Sequence, residues 1–457
     1  MKAFARLLST NLGPRPEKAP MPRLIFVNRF FFPDHSATSQ ILSDLAFHLA
    51  GAGHDVHIVT STQTYDDAKA ALPVSEIING VDVHRVPSTG FGRSGLLGRS
   101  IDYLSFYRST WQRLVALVQP GDMILAKTDP PLTSVIALAA ARRRGARLVN
   151  WLQDIYPETA RELGVPLMRG PLVSMLTALR NRSLRHAEAT VVIGGLMGRK
   201  VELLGAPPAR VHVIPNWCND EDIRPIAQSE NPLRQAWGLA DKFVLGYSGN
   251  LGRAHEFETV LAAAKLLRND PHITFLMIGG GKRFEELSRA VKDQGLTSSF
   301  RFMPYQEQKM VPYSLAVADL HWLSLNPKLE GLLVPSKLYG VAAAGKPIIV
   351  IGDKNGEIAR LVQQYGCGVV IEPGNFVGLT DALRSLSNAP ETVSEMGRKA
   401  RTMLDRHFTR QKALERWGEL LRALDKSHTQ NRKQGSGQSP LGIPAQRPAP
   451  DGEIKID

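Results

Sequence analysis

Cysteine is nearly absent from this chain: Cys218 and Cys367 are the two in 457 residues, far apart and without Cys-x-x-Cys or Cys/His spacing. That excludes a disulfide framework and a zinc-finger site, and it fits a reducing cytoplasm. Long apolar runs are also missing, because charged or polar residues interrupt each candidate before the roughly 20 residues a spanning helix needs. The expectation is a soluble or peripheral protein. The opening "MKAFARLLSTNLGPRPEKAP" lacks an apolar core leading to a small-residue cleavage site, so it reads as a flexible arm over 1–20, with Met21 as an alternative start. Acids are in deficit, 43 against 56 Lys and Arg, giving a formal net charge of +13. The excess is concentrated, with twelve basic and five acidic residues between 140 and 210. Such a face suits an anionic surface or substrate; no nucleic-acid motif accompanies it, so nucleic acid is not an expected partner.

What is present is an alternation of strand and helix. "RLIFVNRF" is strand-like, "ATSQILSDLAFHLAGAG" carries apolar residues at helical spacing and a Gly stop, and "DVHIVTST" is a second strand. Further strands are expected at "VDVHRVPS" after an Asn-Gly turn, "DMILAKT", "ARLVNWL", "ATVVIGG" and "RVHVIPN", with helices at 100–118, 131–144, 170–186 and 196–204. The pattern then restarts with strands at "KFVLGYSGN", "ITFLMIGGG", "FRFMP", "LHWLSL", "KPIIVIG" and "GVVIEP". Continuous apolar strands between helices imply parallel sheets covered on both faces, hence an α/β fold of two Rossmann-like doubly wound domains. Their expected limits are 21–218 and 241–400, with a linker over 219–240, a helix over 401–426 packing back across the junction, and a disordered Gly/Pro/Ser/Gln-rich tail over 427–457.

Ligands of such sheets sit beyond the carboxyl ends of the strands, so the loops there carry the candidates. In "FFFPDHSATSQ", Ser36, Ala37 and Thr38 lead into a helix whose amides face either a phosphate or only an N-cap; no Gly-x-Gly-x-x-Gly follows this strand. In "WLQDIYPETA", Asp154 ends a strand among aromatics, placed to accept a proton or a hydroxyl hydrogen bond, or else to cap the next helix. "GYSGNLGRAHEFETV" brings Gly249, Asn250 and Gly252 ahead of Arg253, a backbone and guanidinium pairing suited to a diphosphate. Gly279 and Gly280 of the triple glycine, with Gly281, end the next strand. In "EGLLVPSKLYGVAAAGKPIIVIG", Ser336 is a capping candidate and Lys337 opens a helix, where a cation opposes the dipole unless an anion lies there. Glu330, just upstream, suits sugar hydroxyls. Asp220 and Asp222 in "NDEDI" form an Asp-x-Asp that reads as a solvated acidic turn rather than a metal site, and Glu357 simply starts a helix with a favourable charge.

Taken in order, "SDLAFHLAGAGHDVHIVTS", "VVIGG" with "RVHVIPNW", "YSGNLGRAHEFETVLAAA", "FLMIGGGK" and "EGLLVPSKLYGVAAAGKPIIV" resemble the retaining glycosyltransferases of family 4, of GT-B fold. The resemblance spans roughly 23–420. "DIYPE", "PNW", "SGNLG" and "PSKLYG" are similar to the branch that builds bacterial capsule, exopolysaccharide or O-antigen. It implies transfer of a sugar from a nucleotide diphosphate donor to an acceptor hydroxyl, with retention and without a metal or other cofactor. Carried over, Asp154 stands beside the acceptor, Glu330 on the donor sugar, Gly249 and Asn250 at the donor diphosphate, and Ser36, Ala37 and Thr38 approach it from the first domain. With the residues read above, the candidate catalytic carboxylates are Asp154 and Glu330, and Arg253, Gly279, Gly280, Ser336 and Lys337 complete the expected donor site.

The chain departs from the family in two places. Where an Arg and a Lys clamp the diphosphate, it has Asn250 and His255, leaving Arg253 and Lys337 as substitutes; the second Glu of the paired motif, which would hold the ribose, falls on Gly340. The expected partners are a nucleotide sugar, a saccharide or lipid-linked saccharide, and an anionic membrane at the inner face of the cytoplasmic membrane. For that last contact "RSIDYLSFYRSTWQRLVALV" offers Tyr103, Phe106, Tyr107 and Trp111 among arginines, either as an interfacial helix or as core. A nucleotide-sugar epimerase of the same architecture and a non-enzymatic polyanion binder are the competing readings, told apart by donor turnover without acceptor and by salt-dependent DNA retention.

Overall fold

A computed structural model describes residues 22–91, 95–166 and 170–435. The expected N-terminal arm and the chain beyond 435 lie outside the described residues. The first domain holds β1 (Leu24–Val27), α1 (Ala37–Gly51), β2 (Val56–Ser61), β3 (Ser75–Ile78), β4 (Val81–Val86), α2 (Leu96–Leu117) and β5 (Met123–Lys127). It continues through α3 (Thr133–Arg144), β6 (Arg147–Trp151), α4 (Glu158–Glu162), α5 (Pro171–His186), β7 (Ala189–Val192), α6 (Gly195–Leu203) and β8 (Val211–Val213). The sheet order is β3-β4-β2-β1-β5-β6-β7-β8. Every pairing but one is parallel, as runs buried on both faces require: all four residues of β1 and all five of β5 are buried. The exception is β3, which the sequence did not announce. It hairpins onto β4 through Asn79 and Gly80, both at positive φ, and its alternating exposed residues mark a sheet edge.

The second domain runs α7 (Pro232–Ala236), β9 (Phe243–Asn250), α8 (Glu258–Leu266), β10 (Ile273–Gly280), α9 (Lys282–Asp293), β11 (Phe300–Met303), α10 (Val311–Val317) and β12 (Leu320–Ser324). After these come α11 (Lys337–Ala343), β13 (Ile348–Ile351), α12 (Glu357–Tyr365), β14 (Gly368–Ile371), α13 (Phe376–Ser387), α14 (Pro390–His407) and α15 (Arg410–Gly435). Its parallel sheet is ordered β11-β10-β9-β12-β13-β14, all six strands being those expected. Two Rossmann-like sheets thus face one another in the GT-B manner.

The second half of the stretch read as a linker belongs with the second sheet: buried Arg234 reaches Asp319 at 3.1 Å and Val317 O at 2.6 Å. Two features join the domains. Helix α15 crosses back, its Leu414, Trp417, Leu421 and Leu424 entering the core of β1, β2 and β5, with Trp417 edge-on to Trp151 at 4.7 Å. It continues past residue 426 to Gly435. Asp220, expected to be solvated, is buried and caps this helix by accepting the Arg410 amide at 2.7 Å. Finally, one apolar cluster runs across the boundary, uniting Leu152, Ile155, Met197 and Val201 with Leu332, Val334, Leu338 and Tyr339. Burial of this seam supplies the attraction that holds the domains together.

Candidate functional site

The glycine-rich ends of β9 and β10 pair in register, Gly249 beside Gly279 and Asn250 beside Gly280. Both Gly249 (φ 119°) and Gly279 (φ 126°) lie in a region that L side chains avoid. A Cβ on Gly249 would stand 2.9 Å from Lys337 Cε, and one on Gly279 would stand 2.4 Å from Gly249 O. The result is a ledge of bare backbone with the lysine stem laid against it.

Lys337 is half-buried, its Nζ 3.3 Å from His255 Nε2 and 5.2 Å from the centre of the Tyr247 ring. His255 Nδ1 is 2.6 Å from Ser324 O, and burial followed by the neighbouring lysine pushes the imidazole down to about 3. It is therefore neutral, donating from Nδ1 to the carbonyl and accepting the ammonium at Nε2. Burial also lowers Lys337 to about 8. Among the described residues no carboxylate pairs with it, so the site holds a cation poised for an external anion.

Glu330 is half-buried and accepts the Glu357 amide at 3.2 Å. Burial raises it to about 7, with Asp353 and Glu357 adding to the effect against the amide bond. Glu357 does more than begin a helix. Its carboxylate accepts Gly195 N at 2.9 Å and Leu196 N at 2.7 Å, capping α6 of the other domain, whose own N-cap, Gly194, has no side chain to do so.

Asp154 caps nothing; α4 starts at Glu158 behind Pro157, with no side-chain cap. Instead Asp154 bridges antiparallel to Leu333 while Ile155 N bonds Leu332 O at 2.9 Å, so the Asp154 loop and the Glu330–Lys337 segment meet as backbone. Burial, helped by Asp129 and opposed by a Thr128 hydrogen bond, lifts its carboxyl to about 6. Its Oδ1 is buried without a hydrogen-bond partner among the described residues. Nearby, over the carboxyl ends of β1, β2 and β5, lies a cavity of about 220 Å³ lined by Arg29, Tyr65, Arg99, Asp102, Tyr103 and Asp129. Arg29 sits 5.2 Å from the Phe30 ring and 5.4 Å from that of Tyr103, an aromatic and cationic wall.

Ser36 is the N-cap of α1 but makes no capping bond, because its hydroxyl turns back to Asp34. Thr38 is tied through its carbonyl to Lys127 Nζ at 3.0 Å, so Ser36, Ala37 and Thr38 are anchored within the first domain. Ser336 likewise does not cap α11, its backbone being already helical (φ −68°, ψ −13°) rather than extended as a cap requires. Arg253 is exposed, without a side-chain partner among the described residues, and α8 begins only at Glu258. At Gly340 a Cβ would meet Leu315 Cδ1 at 3.4 Å and nothing nearer, so a longer side chain is not barred there by backbone.

Sequence reasoning missed Lys127, fully buried at the end of β5, 3.9 Å over Trp151 and lowered by burial to about 7. A lysine closing an apolar strand was the available signal. It also left the "PNW" and "PSKLYG" motifs unconnected, whereas the Tyr339 hydroxyl bonds the Asn216 backbone and Trp217 Nε1 bonds Asp44 at 2.7 Å. Among the described residues Asp55, His57 and Asp82 could group around a metal, but away from the cleft and with His57 already 3.0 Å from Asp55 and 3.1 Å from His84.

Residues 37–217 match the model of a glycosyl transferase 4-like domain, and 229–403 that of glycosyl transferases group 1. The probable glycosyltransferase WbjE of Pseudomonas aeruginosa is 27% identical, covering 68% of this chain and 77% of its own length. The putative colanic acid biosynthesis glycosyl transferase WcaI of Escherichia coli (strain K12) is 24% identical over 82% of this chain and 95% of its own. Among solved structures, sucrose-phosphate synthase from Thermosynechococcus elongatus superposes with a TM-score of 0.72 at 15% identity, over 89% of this chain and 100% of that one. HepE of Anabaena, captured with UDP-glucose, gives 0.65 at 17% identity over 88% and 99%. At such identities the structural likeness speaks for the fold.

Proposed function

We propose, for a chain that belongs to the family 4 glycosyltransferases of GT-B fold, that it moves a hexose from a nucleotide diphosphate sugar to a hydroxyl of a lipid-linked saccharide, with retention, in surface-polysaccharide assembly. The observation that carries this reading is Lys337, half-buried, without a carboxylate partner among the described residues, and laid on the Gly249 ledge. That arrangement fits a diphosphate. Backbone at Gly249, Asn250, Gly279 and Gly280 allows close approach, Lys337 neutralises the charge that grows on the leaving group, and exposed Arg253 closes over it. HepE, of the same fold, binds UDP and UDP-glucose, which favours the same donor class here.

In the reaction the bond between the sugar C1 and the diphosphate oxygen breaks, and a bond forms from C1 to the acceptor oxygen. Ionised Glu330 accepts hydrogen bonds from the donor sugar. Asp154 takes the acceptor proton; it is hydrogen-bonded to Thr128 and feels the charge of Asp129, which lines the acceptor cavity. Retention is carried over from the family resemblance. The apolar seam between the domains limits water at the reacting carbon.

A lipid-linked acceptor fits a second observation. On α2 the aromatics turn inward, Phe106 being fully buried, while Leu97, Ile101 and Leu104 are exposed; on α5 Leu172, Met175 and Leu179 are exposed too. In a parallel sheet such helices start at the carboxyl edge, so both stripes lie in the halves nearest the cleft. Exposed Arg99, Arg108 and Arg182 flank them, a pattern suited to an anionic bilayer surface. No helix among the described residues is long and apolar enough to cross a membrane. The experiment that tests the donor is thermal unfolding against a panel of nucleotide sugars: one should raise the melting temperature by linkage and be consumed when a saccharide acceptor is supplied. A panel of UDP- and GDP-hexoses without a stabilising member contradicts the reading.

A further inference from the structure

A second cavity is on the far side of the first domain from the cleft. It has a volume of about 480 Å³ and lies at the amino ends of β6, β7 and β8, where α15 crosses the sheet. Its wall brings together Arg142 from the end of α3, Arg147 from the start of β6, Arg210 just before β8, His186 from the end of α5 and His428 from α15, facing the carboxylate of Glu188. No step of sugar transfer uses these groups.

Several observations point to a ligand rather than to a structural ion pair. Arg147 is buried, with 8% of its surface exposed, and spends its guanidinium on Leu424 O at 3.0 Å, with longer contacts of 3.5 Å to Gly121 O and Glu188. Its Nε, like Nε2 of His428, is buried without a hydrogen-bond partner among the described residues. Leaving such a group unpaired is costly, so buried nitrogens of this kind ordinarily have a partner. Charge adds to this. Three guanidinium groups line the cavity against one carboxylate, and counting Asp425, 3.9 Å from Arg147, still leaves an excess of positive charge. Arg142 and Arg210 are exposed, so their forks are free to turn towards an anion, Arg210 keeping only one bond, to Ala187 O at 3.1 Å. The volume exceeds that of a lone ion and falls in the usual range for small-molecule sites.

We infer that this cavity binds a phosphate-bearing ligand, in which Arg142, Arg147 and Arg210 share the phosphate oxygens and the ligand ties α15 to the first domain. Planar, permanently ionised forks are the groups best matched to phosphate. Two sources present this chemistry, a soluble phosphorylated molecule and the headgroup of an anionic lipid.

The test uses the full chain, with inorganic pyrophosphate as the soluble probe and phosphatidylglycerol-containing vesicles, against phosphatidylcholine, as the lipid probe, all at one ionic strength. Three proteins are compared: the wild type, Lys337→Ala, which removes the anion site in the cleft, and the double variant Arg142→Ala/Arg210→Ala, whose exposed positions leave the core intact. Pyrophosphate should give saturable stabilisation that persists in Lys337→Ala and weakens at least tenfold in the double variant, or else the vesicles should be retained by wild type and Lys337→Ala and released by the double variant. The first result assigns a soluble ligand and the second a headgroup. Pyrophosphate binding lost in Lys337→Ala and intact in the double variant would place the anion in the cleft and overturn the proposal, as would both probes behaving alike on all three proteins.

Discussion

On the second sheet the part of the candidate site proposed for the diphosphate is bare backbone and one lysine, with Glu330 and exposed Arg253 beside it; on the first the candidate surface is side chains of both signs. The paired strand ends at Gly249 and Gly279 expose main chain at positive φ, where a side chain on Gly279 would collide with Gly249 O and one on Gly249 would press on the Lys337 stem, and Lys337 is held there beside a neutral His255. Across the cleft the 220 Å³ cavity mixes Arg29 and Arg99 with Asp102, Asp129 and two tyrosines. On the proposed reading, a diphosphate, the same in every nucleotide sugar, would be met by rigid geometry, and a variable acceptor by side chains that can be exchanged without disturbing the sheet.

Breaking this contrast should hurt the rigid side most. Lys337→Ala is expected to lower kcat about 10²–10³-fold, the usual cost of deleting one preorganised donor to a developing anion, and Glu330→Ala to act comparably, with circular dichroism unchanged in both. Near-normal transfer by both variants would remove the site. The pH dependence of kcat/KM is a finer probe. Glu330, raised to about 7, loses its charge as pH falls through that value, and Lys337, lowered to about 8, loses its charge as pH rises through that one. A bell with limbs near those two values is expected for the free enzyme. Glu330→Gln should erase the upper acid limb and leave the one from Asp154 near 6; an unchanged profile would show that Glu330 does not titrate in the rate. The smallest effect belongs to the acceptor side, where serine at Leu97, Ile101 and Leu104 should reduce retention on anionic vesicles several-fold without altering donor binding. Equal retention would detach the exposed stripe from the membrane.

How much of this was legible follows from where the signal lay. Thirteen strands were readable as apolar runs, and β3 was not, because a half-exposed edge strand has no continuous apolar face to show. Gly249, Gly279, Glu330 and Lys337 could be named as candidates from strand-end position and residue type. The stated reason for Lys337 was only partly right: α11 has seven residues, too short for its dipole to matter much, and burial against Gly249 and His255 is what sets the lysine apart. Contacts between distant segments were beyond reach. Nothing local in "GEIARLV" says that Glu357 caps α6 in the other domain, although Gly194 ahead of α6 advertised an uncapped helix end. Asp220 was misread for the same reason, since its partner, the Arg410 amide, is 190 residues away.

The central claim is that Lys337, held by His255 on the glycine ledge, is the cation that receives the donor diphosphate. Calorimetric titration of the preferred nucleoside diphosphate into wild type and Lys337→Ala measures this directly. The account predicts that affinity falls at least tenfold in the variant while its unfolding remains cooperative; equal affinity in the two proteins would contradict it.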